Sequence, residues 1–279
     1  MATRYYRPTT DEWVAANFSG GVLPADGDTI IFDAGSTKPC TNSMDRDGDS
    51  TGAGLNLGAL IVEDGFAFDL GASGGPLQIA ADIVILRGSG RVWLKASQGS
   101  GSAQLDDVVV ACPRGTAIVL SDDATQVITR LAILGGDVTL AASMLAIDNL
   151  EIIGDPRLPP PVVTIGTSGT AIVRMYVGAG TVECDRAVTT YEQDGGNVNQ
   201  KTGAFSNTTI NAGTLKYPST STMAGRTTVK AGATLDLSEM RALTVTALYQ
   251  QPGGIVLKPV DNSLVTFTKE FLYGQKVVN

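Results

Sequence analysis

Apolar residues in this chain gather in short clusters rather than along helical stripes. Thr29-Ile30-Ile31-Phe32, Leu60-Ile61-Val62, Ile83-Val84-Ile85-Leu86 and Val92-Trp93-Leu94 come first. Val108-Val109-Val110, Ile118-Val119-Leu120, Leu131-Ala132-Ile133-Leu134, Val162-Val163-Thr164-Ile165 and Ile255-Val256-Leu257 follow. Each is rich in β-branched side chains and bounded by Gly, Asp, Asn, Ser or Pro, the pattern of short strands separated by tight turns. One stretch reads as helical: Thr10 is placed to cap a short turn over Asp11-Glu12-Trp13-Val14-Ala15-Ala16, with acids in its first turn.

The second half carries a degenerate repeat. Thr209-Ile210-Asn211-Ala212-Gly213-Thr214-Leu215 recurs as Thr228-Val229-Lys230-Ala231-Gly232-Ala233-Thr234-Leu235, its glycine moved by 19 positions. A looser Gly-x-Val/Leu element stands at Gly136, Gly180, Gly196 and Gly213, the last three 16 and 17 apart. A period of about 16 to 22 residues with two or three short strands per unit is what one coil of a β-solenoid requires. Stacked coils pair each strand with its equivalents above and below, and Gly marks the corners where positive φ or a sharp bend is needed. At about 20 residues per coil, Gly58 to Pro259 predicts roughly ten coils. A β-sandwich would show longer alternating strands and a propeller a period of about 40 residues, and neither is visible. The expected fold is therefore all-β, a right-handed single-stranded β-solenoid (β-helix) with a short N-terminal cap.

A solenoid must close both ends. Residues 1–35, with the helical turn and the aromatics Tyr5, Tyr6, Trp13 and Phe18, read as one cap; 36–260 read as the solenoid. Residues 261–279, with Ser263-Leu264-Val265-Thr266-Phe267-Thr268 and Phe271-Leu272-Tyr273, read as the other cap or a subunit contact. Asp155-Pro156-Arg157-Leu158-Pro159-Pro160-Pro161 interrupts the pattern, as an excursion from one coil or a hinge between two halves.

Composition narrows the function. Gly is 33 of 279 residues and charged residues are 17%, against usual values of about 7% and 25%, as fits a turn-rich β-protein. The net charge of −8 repels phosphate, so nucleic acid is not an expected partner. His is absent, which excludes Ser-His-Asp and Cys-His nucleophilic sites and the usual His-containing zinc sites. Cys40, Cys112 and Cys184 are far apart without CxxC spacing and read as small buried hydrophobes of a reducing cytosol. The N-terminus shows no apolar signal-peptide core and the chain no run of 18 apolar residues, so synthesis in the cytoplasm without a membrane partner is expected.

Candidate chemistry is sparse. Asp45-Arg46-Asp47-Gly48-Asp49-Ser50 starts like a calcium loop, but Ser50 and Asn56 stand where the turn glycine and the closing glutamate ligand belong, so it reads as an acidic turn. Asp106-Asp107 and Asp122-Asp123 are carboxylate pairs of the type that hydrolyses glycans, yet neighbours on a strand point to opposite faces, and turn or surface carboxylates are expected. Gly71-Ala72-Ser73-Gly74-Gly75 and Gly99-Ser100-Gly101-Ser102 lack the Gly-Lys-Ser/Thr of a phosphate loop. Tyr176, Tyr191, Tyr217 and Tyr249 are irregularly spaced, which disfavours a sugar-stacking ladder and fits scattered coil-edge tyrosines.

Trp13-(x)3-Asn17-Phe18-Ser19-Gly20-Gly21-Val22-Leu23-Pro24-Ala25-Asp26-Gly27-Asp28-Thr29-Ile30-Ile31-Phe32 resembles the W…N-W-S-x-G-x-P-x-x-G-D-T-V-x-F entry segment of bacteriophage and bacterial surface β-helix proteins, with Phe18 in place of the second Trp. Asn17 to Gly21 and Pro24 to Gly27 make two turns that lead through Asp28 into the first buried strand. The resemblance implies a non-enzymatic virion protein of a tailed bacteriophage, similar to the homotrimeric β-helical capsid decoration (cement) proteins, with the major capsid protein as partner and no cofactor or metal. On that reading Tyr5, Tyr6, Arg7 and Trp13, aromatic and Arg-bearing, are the expected capsid contact on the virion surface. The alternative is a tailspike or fibre that binds, and perhaps cleaves, host glycan, with Asp106 or Asp122 as the carboxylates to replace.

Overall fold

The structure, a computed structural model, describes residues 1–42, 55–96, 105–122, 127–141, 146–167, 170–218, 221–239 and 243–273. The acidic turn Asp45–Ser50, the glycines of Gly99–Ser102 and Asp123 lie outside the described residues. The first strands are β1 (Thr3–Tyr5), β2 (Thr29–Phe32), β3 (Asn56–Val62), β4 (Leu77–Leu86), β5 (Val92–Ala96), β6 (Leu105–Ala111) and β7 (Ala117–Asp122). Then come β8 (Val127–Gly135), β9 (Asp137–Leu140), β10 (Ala146–Ile152), β11 (Val162–Ile165), β12 (Ile172–Val177), β13 (Thr181–Cys184) and β14 (Val188–Gln193). The last are β15 (Asn197–Gln200), β16 (Phe205–Ile210), β17 (Gly213–Lys216), β18 (Met223–Val229), β19 (Ala233–Asp236), β20 (Leu243–Gln250), β21 (Ile255–Leu257) and β22 (Val265–Leu272).

These strands form a single-stranded β-solenoid of about nine turns, close to the ten expected. One face stacks β1 to β4 and then the even-numbered strands to β22, all in parallel register. The other face begins where the start of β4 pairs with β5 and continues through the odd-numbered strands to β21. Coils of 16, 17 and 19 residues separate the registered residues Tyr176, Glu192, Thr209 and Thr228, which is the glycine spacing of the sequence. The glycines sit where that spacing placed them. Gly196 and Gly213 adopt φ of 70° and 82°, and a Cβ on either would come within 2.6 or 2.4 Å of the carbonyl oxygen of the corner glycine one coil below. Only glycine lets these corners stack.

Inside, the registered column Ile30, Leu60, Val84, Val108, Leu131, Leu150 and Met175 is fully buried, and Tyr191, Thr208, Thr227 and Leu248 continue it. Strict alternation breaks on several strands of the first face, where two successive residues point outward: Asp82-Ile83, Asp106-Asp107, Val173-Arg174 and Thr189-Thr190. Buried amides satisfy the turns from within. Gln193 Nε2 donates to the carbonyls of Gly195, Gly196 and Thr214, at 3.0–3.1 Å, and Gln250 Nε2 to that of Gly254 at 2.7 Å. Cys40, Cys112 and Cys184 are buried and form no disulfide with one another, in line with their reading as small buried hydrophobes.

The N-terminal segment closes the core. Tyr6, Trp13, Phe18, Phe32 and Phe66 pack with ring centroids 4.8–5.6 Å apart along the chain of contacts. The strand Thr29–Phe32 lies where the motif placed it, but β1 already pairs with it, so the ladder begins inside the expected cap. The expected helix from Thr10 is absent. A three-residue 3-10 turn, Ala15–Asn17, replaces it, with Val14 before it and no side-chain cap. Asn17 explains the difference: its Oδ1 accepts from Thr9 N at 2.8 Å, and its Nδ2 donates to Thr10 Oγ1 at 2.9 Å and Glu12 O at 2.7 Å. Thr10 is held by this amide rather than capping a helix. The proline-rich segment is an excursion and not a hinge, because β10 pairs with β12 and β9 with β11 across it.

Candidate functional site

Of the four residues expected at a capsid contact, two are inside. Tyr6 and Trp13 have 0% and 1% of their surface accessible, because both rings fill the end of the core, and a side chain without accessible surface makes no partner contact. Tyr5 and Arg7 remain outside. Arg7 grips Asp33 with both terminal nitrogens at 2.8 Å and lies 4.9 Å from the Tyr5 ring centroid. Arg7 holds the Asp33 carboxyl below the usual carboxylate range by that hydrogen bond, against the opposing effect of burial.

Asp106 and Asp107 lie on β6 of the first face, whereas Asp122 ends β7 on the second. Asp106 and Asp107 both point outward rather than to opposite sides, because alternation breaks at this point of β6. Asp106 accepts from Thr129 Oγ1 at 3.3 Å. Asp107 pairs with Arg130 at 2.8 Å, and the other arm of Arg130 reaches Glu151 at 2.8 Å, bracing three rungs. Tyr191 and Tyr217 are buried, so of the four spaced tyrosines only Tyr176 and Tyr249 keep exposed surface. Gly71–Gly75 forms a tight turn in which Ala72 and Gly75 exchange backbone hydrogen bonds, with no helix following. Among the described residues, no three His, Cys, Asp or Glu side chains gather as a metal site.

The register brings together a set of residues that the sequence reading did not single out. On the outward side of the first face, Tyr5, Ile31, Ile61, Ile85 and Val109 are stacked in direct register on five successive strands. Each of the four aliphatic residues keeps part of its surface accessible, and Ile83, one column aside, is 44% exposed. At about 4.8 Å per rung, Tyr5 to Val109 spans roughly 19 Å. Past the buried Ala132 the same column turns polar: Glu151, Tyr176, Glu192, Thr209 and Thr228, then Tyr249 and Phe271. The signal was the second apolar residue in clusters such as Leu60-Ile61-Val62, which alternation puts outside once its neighbours are inside.

No protein family, no curated protein and no solved structure matches this chain, so the fold stands on the structure alone.

Proposed function

We propose that this protein is a structural virion component of a tailed bacteriophage, a homotrimeric decoration protein that clamps neighbouring major capsid subunits on the capsid surface. The observation that carries the reading is the outward aliphatic column Ile31, Ile61, Ile85 and Val109. A rotation axis parallel to the solenoid sets each rung against the same rung of its copies, so like meets like. Aliphatic side chains tolerate that pairing; a column of like charges does not. Three chains sharing this stripe present three identical ends, and simultaneous attachment turns weak single contacts into firm binding. Tyr5 and Arg7, exposed at the N-terminal end, are the capsid contacts retained in this reading. The net charge of −8 aids solubility and discourages packaging-related contacts with DNA.

The test is the copy number of the polypeptide in purified particles of its source virus, measured by quantitative mass spectrometry against the major capsid protein. A copy number of the same order as the capsid protein is expected. A few copies per particle, or none, would overturn the decoration reading, the former in favour of a tail component.

A further inference from the structure

The outward face of β16, β18 and β20 carries a groove of about 350 Å³ lined by Asn207, Thr209, Arg226, Thr228, Lys230 and Gln251. Two cations line it and no carboxylate does, on a chain of net charge −8. Three other cations on or beside this ladder are paired within the chain: Arg7 with Asp33, Arg130 with Asp107 and Glu151, and Arg87 with Glu63. Among the described residues neither Arg226 nor Lys230 has an acidic partner within ion-pair distance. The nearest carboxylate in the column, Glu192, lies one rung below Thr209 and accepts from Asn211 Nδ2 at 3.1 Å.

Arg226 is held in place. Its guanidinium carbon lies 4.2 Å from the Tyr249 ring centroid, and its Nε donates to Thr228 Oγ1 at 3.2 Å. So fixed, the Arg226 side chain lines the groove. The strand is also shaped for the purpose: the register with β20 shifts between Met223 and Arg226. Within that irregularity Gly225 passes so close to β16 that a Cβ would lie 2.4 Å from Asn207 Oδ1 and 2.6 Å from the Ser206 carbonyl. Bulges re-aim side chains and gather next to binding sites.

We propose that this groove binds an acidic sugar chain, with a uronate carboxylate or sugar sulfate against Arg226 and Lys230. A carboxylate, or two oxygens of a tetrahedral sulfate, suits the fork of a fixed guanidinium. The hydroxyl of Thr209 and the amides of Asn207 and Gln251 supply mixed donors and acceptors for ring hydroxyls. Phe271 stacks on Tyr249 at 4.6 Å and 13° and is 41% exposed, which offers a ring face further along the stack. Two cations on an acidic protein are too few to hold a polyphosphate chain against the overall field. This site does not depend on where the protein is displayed.

The test is calorimetric titration of the full chain with a galacturonate tetramer and a sulfated disaccharide, with maltotetraose, inorganic sulfate and a single-stranded oligonucleotide as comparators. Saturable binding of one acidic sugar, weakened by salt and absent for maltotetraose, is expected. Arg226→Gln with Lys230→Gln is expected to weaken it about tenfold or more, the loss that follows removal of charge-assisted hydrogen bonds. Arg87→Gln, on a distant rung, should leave binding unchanged, and thermal melting of each variant reports its folding. No binding of either acidic sugar, or equal binding by the double variant, overturns the proposal. Inorganic sulfate binding as tightly as both sugars, or the oligonucleotide binding more tightly, also overturns it.

Discussion

The outward column of the first face divides into two regions on one backbone. From Ile31 to Val109 it is aliphatic; from Glu151 to Thr228 it is acidic, hydroxylic or tyrosyl. Both regions are parallel rungs of one ladder over buried cores. Strand propensity does not explain the aliphatic half. Thr209 meets the same β-branched preference with a polar end, as expected on the solvated side of a sheet. In the assembly proposed above, the difference follows from what each region faces: solvent in the C-terminal half, and a second copy of the chain in the N-terminal half.

If the interior is common to both regions, truncating it should cost similar amounts on either side. Ile30→Ala and Leu150→Ala are each expected to destabilise by about 2–5 kcal/mol in denaturant unfolding. A negligible loss at either site would mean that the rung is not part of a shared core.

Acid should separate the regions next. Asp28 is 3% exposed; burial works against its ionisation, but hydrogen bonds from Arg4 Nε and the amides of Ala2 and Ala25, with the Arg4 charge, prevail and lower its pKa. A carboxyl whose pKa is lowered by folding stabilises fully above its unfolded pKa and loses that contribution as the pH falls through the folded value. Asp33 behaves likewise. Hydrogen exchange should show β1 and β2 opening below the ordinary carboxylate range while β12 to β16 stay protected; simultaneous opening would contradict this.

A smaller effect tests the C-terminal interior. Thr208 and Thr227 bury Oγ1 atoms that have no hydrogen-bond partner. An unpaired buried hydroxyl is costly, so Thr227→Val should stabilise by about 1 kcal/mol in thermal or denaturant unfolding. The smallest change is expected at the boundary. Glu151→Gln removes one arm of the Arg130 brace, whose side chains are 39% and 32% exposed, and should cost no more than about 1 kcal/mol.

Much of the fold was legible in the sequence because its determinants are local. Apolar, β-branched clusters marked β2 to β8, β11 and β21, and the 16- and 17-residue spacing of Gly180, Gly196 and Gly213 marked stacked corners. Rungs such as Val188–Gln193 and Phe205–Ile210 do not stand out as clusters, because their apolar inward residues are isolated: Val188 and Tyr191 in one, Phe205 and Ile210 in the other. Tyr6 and Trp13 were misplaced outside because aromatic composition suits a core end as well as an interface. The outward column was not legible: Ile31, Ile61, Ile85 and Val109 are separated by 30, 24 and 24 residues, and only the register aligns them. The Arg226 groove likewise arises from a register shift that no local pattern announces.

The most direct measurement is the solution mass of the full chain by sedimentation, for the unaltered protein and for Ile61→Thr with Ile85→Thr. Threonine keeps the β-branched shape and should leave melting of the subunit nearly unchanged, so the variant removes only the apolar surface. A trimer that becomes a monomer on this double substitution is the predicted result. A monomer in both, or an equally stable trimer in both, would contradict the assignment of the aliphatic column as the surface that a second copy covers.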